Sequence, residues 1–374
     1  MKDEEKISSI QLMFLLVTIV TATAWLYVSA ITAQKAGVDG WISLLVPSTI
    51  FGMAVVFVCS ALCLRFPGRS VVEFSGDIVG KFAGKIVGLG YLFFFLYSNG
   101  VIIREFGDFV VTSFMMETPL LVFNSVMVLL AAYAVSNGLE VISRANQFVF
   151  PLAVLSLFVI VGLAIPAMHL DNLMAVLGNG LKPVLRGSLT TSSWRGEVVL
   201  LLMFWPYLNK PDQGRRAGLL AVAFIGILLS LDTASTVAVF GAETVANLTF
   251  PTLDLARYIS IAGFLERLEA IVMILWVAGI FVKVACFYQA GALAASQLLG
   301  LKDYRALVLP LGVLQLVWSV TLFESSRELV FFLGKTFAPF AYVFELGLPL
   351  LLLLIAMIRK KGGAKIAKKT PRPD

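Results

Sequence analysis

The chain has 374 residues, 59% of them hydrophobic and 14% charged, with a net charge of +6 and a mean hydropathy of +0.92. Soluble domains are about 45–50% apolar and about 25% charged, so an ordinary soluble enzyme, a disordered chain and a nucleic-acid binder are excluded as first readings. A basic excess in so apolar a chain points to membrane topology.

A helix crosses a bilayer with about 20 apolar residues. Ten stretches qualify, at about 10–33, 41–64, 86–103, 119–137, 145–166, 188–208, 217–240, 269–296, 306–323 and 337–358. The continuously apolar runs Val198–Phe204 and Leu350–Ile358 do not alternate as barrel strands must, so the spans are expected to be helices. The first is read as a span and not a cleaved leader, because Met1–Lys6 is mixed in charge and the apolar run is long. The prediction is an all-α integral membrane protein. It is one domain over 1–358, with halves at about 10–166 and 188–358, and a basic tail at 359–374.

The first span carries Thr18, Thr21, Thr23, Trp25, Tyr27, Ser29 and Thr32, with no Gly or Pro from 10 to 36. Its hydroxyls either line a solute path or bond back within the helix. Cys59 and Cys63 sit one turn apart in the second span, and with Cys286 they cannot all pair, so no disulfide framework is implied. Gly80, Gly84 and Gly88 suit close helix packing. Tyr97, Ser98 and Asn99 are placed to line a cavity. Arg104 and Asp108 share a face at i,i+4, as an ion pair or a gate. Leucines at helical spacing in 167–187 predict an interfacial helix, which contains His169, the only histidine.

The sixth span opens on Gly187-Ser-Leu-Thr-Thr-Ser-Ser-Trp-Arg-Gly-Glu197. Gly, Ser and Thr weaken a helix or compete for its backbone bonds, so an interruption is expected, with a new half-helix beginning near Gly196. Its free N–H groups and dipole would suit a carboxylate, with Arg195 adding charge and Glu197 neutralising it or meeting an ammonium. Alternatively, Glu197 complements a helix N-terminus while Arg195 snorkels outward. Asp232 lies within the seventh span. The stretch 242–268 is amphipathic, fitting a lid, a partner surface or a plain surface helix. Lys283 lies in the middle of the eighth span, too deep to snorkel. It would fill the place of a coupling ion, exchange a proton, or form a structural ion pair. Gln315 and Glu345 are further inward-facing candidates. Trp41, Trp205, Tyr207 and Tyr304 are read as interface anchors, and the Phe runs at 93–95 and 331–332 as lipid-facing or packing residues. No metal-ligand spacing and no nucleophile–base pair stands out, so no enzyme activity, metal or cofactor is expected.

Ten spans put both termini on one side. That side collects 19 Lys and Arg against 8 on the other, and Arg195 and Lys283 complete the 29. The termini are therefore expected to be cytoplasmic. The tail is a stop signal or, alternatively, a contact for anionic lipid.

Several motifs together carry a resemblance. They are Arg65-Phe-Pro-Gly-Arg69 with Val72-Glu-Phe74; Ile103-Arg-Glu-Phe-Gly-Asp-Phe109; Gly138-Leu-Glu-Val-Ile-Ser-Arg144; Gly180-Leu-Lys-Pro-Val-Leu-Arg-Gly-Ser188; and Gly196-Glu-Val-Val-Leu-Leu-Leu-Met203. Thr249-Phe-Pro-Thr-Leu-Asp-Leu-Ala-Arg257, Phe264-Leu-Glu-Arg-Leu-Glu269 and Gly300-Leu-Lys-Asp-Tyr-Arg305 follow in order. From about residue 5 to 361 the chain resembles the B subunit of GerA-type spore germinant receptors, relatives of the amino acid–polyamine–organocation transporters. The resemblance implies a LeuT-like fold, ten helices in two inverted repeats of five, with broken first and sixth helices holding the ligand. It implies recognition of a small germinant, often an amino acid, in the spore inner membrane. It also implies two partners, an A-type membrane subunit and a C-type lipoprotein subunit. By position the germinant region falls on Thr21, Thr23, Trp194, Arg195, Gly196 and Glu197. This chain lacks the glycine-containing break usual in the family's first span, and places Ser193-Trp-Arg195 before Gly-Glu. A free-standing proton-coupled amino-acid permease is the alternative that the same fold allows.

Overall fold

The first long helix is fixed at its start by a reciprocal cap. The Ser8 hydroxyl accepts the Gln11 N–H at 3.1 Å, and the Gln11 side chain accepts the Ser8 N–H at 2.8 Å. In this computed structural model, which describes residues 5–259 and 268–363, the helix α1 (Ser9–Ala36) then runs unbroken for 28 residues. Every residue from Leu15 to Ala33 is buried. A helix apolar all round belongs inside a bundle, and α1 is packed by helices on all sides.

The chain continues through α2 (Gly40–Leu45) and α3 (Pro47–Arg65), which a turn at Val46 separates, then α4 (Val71–Val79), α5 (Lys81–Ser113), α6 (Leu120–Asn137) and α7 (Leu139–Ala164). The second half holds α8 (Leu181–Gly196), a 3-10 stretch Glu197–Leu200, α9 (Leu201–Phe204), α10 (Gly214–Phe240), α11 (Ala242–Asn247), α12 (Pro251–Tyr258), α13 (Leu268–Leu299) and α14 (Arg305–Thr321). The last span is composite. It consists of α15 (Ser326–Phe331), a π-helical turn Phe332–Thr336, α16 (Phe337–Tyr342), a second π turn Val343–Gly347, and α17 (Leu348–Ile358).

All ten predicted spans fall on helical backbone. Seven stretches among the described residues are long and apolar enough to cross a membrane, the first of them, Ser9–Arg65, covering two predicted spans. Arg305–Thr321 is a shorter apolar helix. Exposed Phe82, Leu89, Phe148 and Leu155 give the outside of the bundle a surface suited to lipid. Close approach needs glycine at one place above all: a Cβ on Gly84 would collide with the backbone of Gly76, which joins α4 to α5.

Two local expectations are corrected. The 167–187 segment is not one helix. It has short 3-10 turns at Ile165–Ala167 and Leu170–Leu173, then left-handed residues at Ala175 (φ 70°) and Leu177 (φ 56°), before α8 begins at Leu181. Left-handed residues at these two positions interrupt a right-handed helix, whatever the leucine spacing. Trp205, Tyr207 and Tyr304 are buried in protein and do not sit in an interfacial belt; the Tyr304 hydroxyl donates to the Val135 carbonyl at 3.0 Å. The Phe runs divide between the two expected roles: Phe94 and Phe95 are buried in the packing, whereas Phe93 and Phe331 are exposed on the outside. The three cysteines are free and buried. The latter part of the amphipathic 242–268 stretch, with Phe264–Arg267, and tail residues 364–374 lie outside the described residues.

Candidate functional site

The sixth span does not break as the composition suggests. Instead α8 runs through the Ser/Thr stretch to Gly196, and the backbone then tightens into the 3-10 stretch without leaving right-handed geometry. Gly196 therefore ends an α-helix and does not begin one, and no half-helix N-terminus opens there. Everything from Thr190 to Leu208 is buried. Tertiary packing supplies what helix propensity lacks, and several hydroxyls bond back to the turn before, as Ser193 does to the Thr190 carbonyl at 2.7 Å.

The switch from α to 3-10 turns Glu197 toward α1 and α13. The Lys283 ammonium lies 2.7 Å from each oxygen of Glu197 and 2.9 Å from the Thr23 hydroxyl. Its three N–H donors thus have three acceptors, which is what an ammonium removed from water requires. The Lys283 side chain is fully buried and that of Glu197 is 3% exposed. Desolvation offsets most of the attraction in such a pair, yet losing one partner is expensive, about 3–5 kcal/mol.

Two more carboxylates face this pair. Glu345 comes from the second π turn, and neither of its buried oxygens has a hydrogen-bond partner among the described residues. Its carboxyl lies against Gly196, where any Cβ would collide with it, and within electrostatic reach of Glu197 and Lys283. Glu105 of α5 lies beside the Thr23 hydroxyl, with one oxygen unpartnered. Three acids therefore surround a single ammonium. Sequence reading singled out Glu345 without a partner and passed over Glu105 for its neighbours. The available signal was an acid next to Arg104 in an otherwise apolar stretch.

Of the predicted site residues, the structure gathers Thr23, Gly196, Glu197 and Lys283. Arg195 is also fully buried but faces the other way. Its Nη2 donates to the Leu44 carbonyl at 3.1 Å, its side chain passes Gly52, and its Nε and Nη1 have no partner. Positions two apart on a helix point about 200° apart, so Arg195 and Glu197 serve different surfaces. Trp194 is buried. The Thr21 hydroxyl bonds back to the Val17 carbonyl at 2.8 Å. Tyr97 stands in an aromatic group with Phe93, Trp318, Phe332 and Phe340.

A second polar centre surrounds Asp232, which accepts from Ser29 and Thr252, each at 3.0 Å. The same Thr252 hydroxyl lies 3.0 Å from the Trp25 carbonyl, so its one proton is shared between the two acceptors and seats α12 on α1. Arg104 forms the predicted ion pair with Asp108, 3.1 Å apart and nearly buried, and also donates to the Phe323 carbonyl at 2.8 Å. Asn99 is bonded to Gln315.

At the end of the bundle remote from the termini, a cavity of about 610 Å³ opens between α1, α8 and the last span. Its lining includes Lys35, Arg186, Thr190, Lys335 and Tyr342.

Comparison with known proteins follows the same architecture. The chain is 29% identical over 335 residues to spore germination protein KB of Bacillus subtilis (strain 168), covering 88% of this chain and 89% of that one. It is 29% identical over 340 residues to spore germination protein YndE of the same organism, covering 89% and 91%. Among solved structures it is similar to MhsT in complex with L-phenylalanine, with a TM-score of 0.66, 13% identity, and coverage of 94% of this chain and 99% of that one. It is also similar to a nucleobase-cation-symport-1 family transporter, with a TM-score of 0.72, 12% identity, and coverage of 96% and 80%. These structures show a LeuT-like transporter fold. Residues 6–327 match the spore germination protein family, and the chain belongs to that family.

Proposed function

We propose that this chain is the B-type subunit of a spore germinant receptor, recognising a small nutrient, an amino acid by preference, within the membrane. Its two repeats would be about 10–166 and 188–358. It would act in the spore inner membrane, termini cytoplasmic, with an A-type membrane subunit and a C-type lipoprotein subunit. Family and fold are those of permeases and not of enzymes.

The observation that carries this reading is the shared ammonium of Lys283, held by Glu197 and Thr23, with the vacant carboxylate of Glu345 beside it. An arriving solute with an ammonium has an acceptor in Glu345, and its carboxylate has a counter-charge in Lys283. Occupying either redistributes the partners of Lys283, on which α1, the 3-10 stretch and the last span converge. A ligand shifts a two-state protein only through such differential contacts. On this reading the Lys283 ammonium would take the place of a coupling ion beside Glu197.

Germination dose–response with a panel of amino acids, in a strain carrying this receptor alone, tests the reading. Glu197→Gln should raise the half-maximal germinant concentration by about tenfold or more, equivalent to about 1.4 kcal/mol, while membrane insertion persists. An unchanged curve counts against the site. The permease reading draws support from the transporter neighbours. Proton-driven uptake of labelled amino acids into proteoliposomes would favour it.

A further inference from the structure

The cavity remote from the termini is lined by three cations, Lys35, Arg186 and Lys335, and by no carboxylate. Among the described residues none of the three is ion-paired. Lys335 is steadied over the Phe331 ring, 4.6 Å from its centroid. The Lys35 ammonium bonds to Thr190 and donates to the Gly334 carbonyl at 2.8 Å, and Thr190 donates to the same carbonyl at 3.2 Å. Gly334 lies in the first π turn, where the wider winding changes the usual pairing of carbonyls. These bonds form the floor of the cavity. Thr190 and Glu197 are seven residues apart on one face of the sixth span, so the floor lies about two turns, roughly 10 Å, above the ion pair. The remaining wall is largely apolar, formed by Leu189, Ala338, Pro339 and the Tyr342 ring, with the neutral amide of Gln34 at its edge.

We infer that this vestibule is an anion-binding site, which takes a carboxylate- or phosphate-type head with an apolar remainder and delivers it onto Lys35. Three like charges around a concave low-dielectric wall repel one another and concentrate counter-ions; an anionic head relieves that repulsion, and the apolar wall accommodates the rest of the molecule. Drawing on Lys35 also loosens the Thr190–Gly334 floor. The inference rests on the proposed function for what lies below, but not for the charge of what binds here.

The test is charge-selective labelling of the full chain in nanodiscs. Ala338→Cys and Leu189→Cys place thiols in the wall, while the native cysteines are buried. Each variant is treated with an anionic sulfonatoethyl and a cationic trimethylammonioethyl methanethiosulfonate, and the rates are corrected for intrinsic reactivity. The anionic reagent should be favoured by about tenfold or more, and the preference should fall toward unity when Arg186→Gln and Lys335→Gln are added. Both substituted side chains are exposed, and monodisperse elution confirms folding. Protection by soluble benzoate in neutral-lipid discs would identify a solute head. Protection only in discs containing phosphatidylglycerol would identify a lipid headgroup. Equal or reversed preference, no response to the double substitution, no protection by either anion, or thiols unreactive at both positions would each overturn the site. None of these readouts measures germination, so failure here and failure of the receptor reading are separable.

Discussion

Two carboxylates are buried against α1 less than two turns apart along it, and they are held in different ways. Asp232 meets the hydroxyls of Ser29 and Thr252 and, among the described residues, has no cation partner. Glu197 meets an ammonium, with the spare acids Glu345 and Glu105 close by. The hydroxyls hold one oxygen of Asp232 within a neutral network that also includes Thr233 and the Trp25 carbonyl, so no other charged group competes for it there. An ammonium among three acids has alternatives of the same chemistry. The first arrangement is suited to seating α12 on α1; the second is suited to changing partners.

Substitutions can break this contrast, and the largest effect should come from Lys283→Ala. It leaves Glu197 without its counter-charge among two further buried acids, a loss of about 3–5 kcal/mol. Thermal unfolding in detergent should show a strongly lowered midpoint and reduced yield. A midpoint equal to the parent would mean that the cluster does not depend on its cation. Gly196→Ala comes next. Its methyl collides with Glu345, and overpacking of this kind costs about 1–3 kcal/mol. Glu345→Ala added to it should recover most of the loss, and additive losses instead would deny the contact.

The Asp232 side sharpens the comparison. Thr252→Val removes one donor and should cost about 1–2 kcal/mol while leaving the germinant concentration unchanged; a shift as large as that of Glu197→Gln would erase the distinction between the two centres. The smallest effect on stability is expected of Lys335→Ala, an exposed side chain, within about 0.5 kcal/mol. A melt lowered as far as that of Lys283→Ala would show that depth in the bundle does not rank these lysines.

The spans were legible in the sequence because hydrocarbon thickness imposes a length and an apolar content that a window of residues reveals directly. Lys283, Glu197 and Glu345 were each conspicuous as charges in apolar runs. Their meeting was not, since residues 86 and 148 positions apart join only through the bundle's topology. The sixth span misled for a local reason. Gly187 to Gly196 is poor helix-forming sequence, but a fully enclosed segment must still satisfy its backbone, and the α-helix does so at least cost. Adjacency suggests that Glu197 neutralises Arg195, whereas two positions along a right-handed helical backbone point their side chains to different surfaces. The three vestibule cations lie at the end of α1, within α8 and in the first π turn of the last span, and nothing in linear order marks them as neighbours.

The two wide turns of the last span have a mechanical implication. Each accommodates one residue beyond the α-helical count, and such a surplus can pass along a helix without unwinding its ends. One residue of slippage amounts to about 100° of rotation and about 1.5 Å of travel. The piece between them, Phe337–Tyr342, carries Ala338, Pro339 and Tyr342 of the vestibule wall and leads directly into the turn bearing Glu345. It is a short axle between two loose couplings. A twist begun at the mouth would reach the carboxyl beside Gly196 while both anchored ends of the helix stayed still.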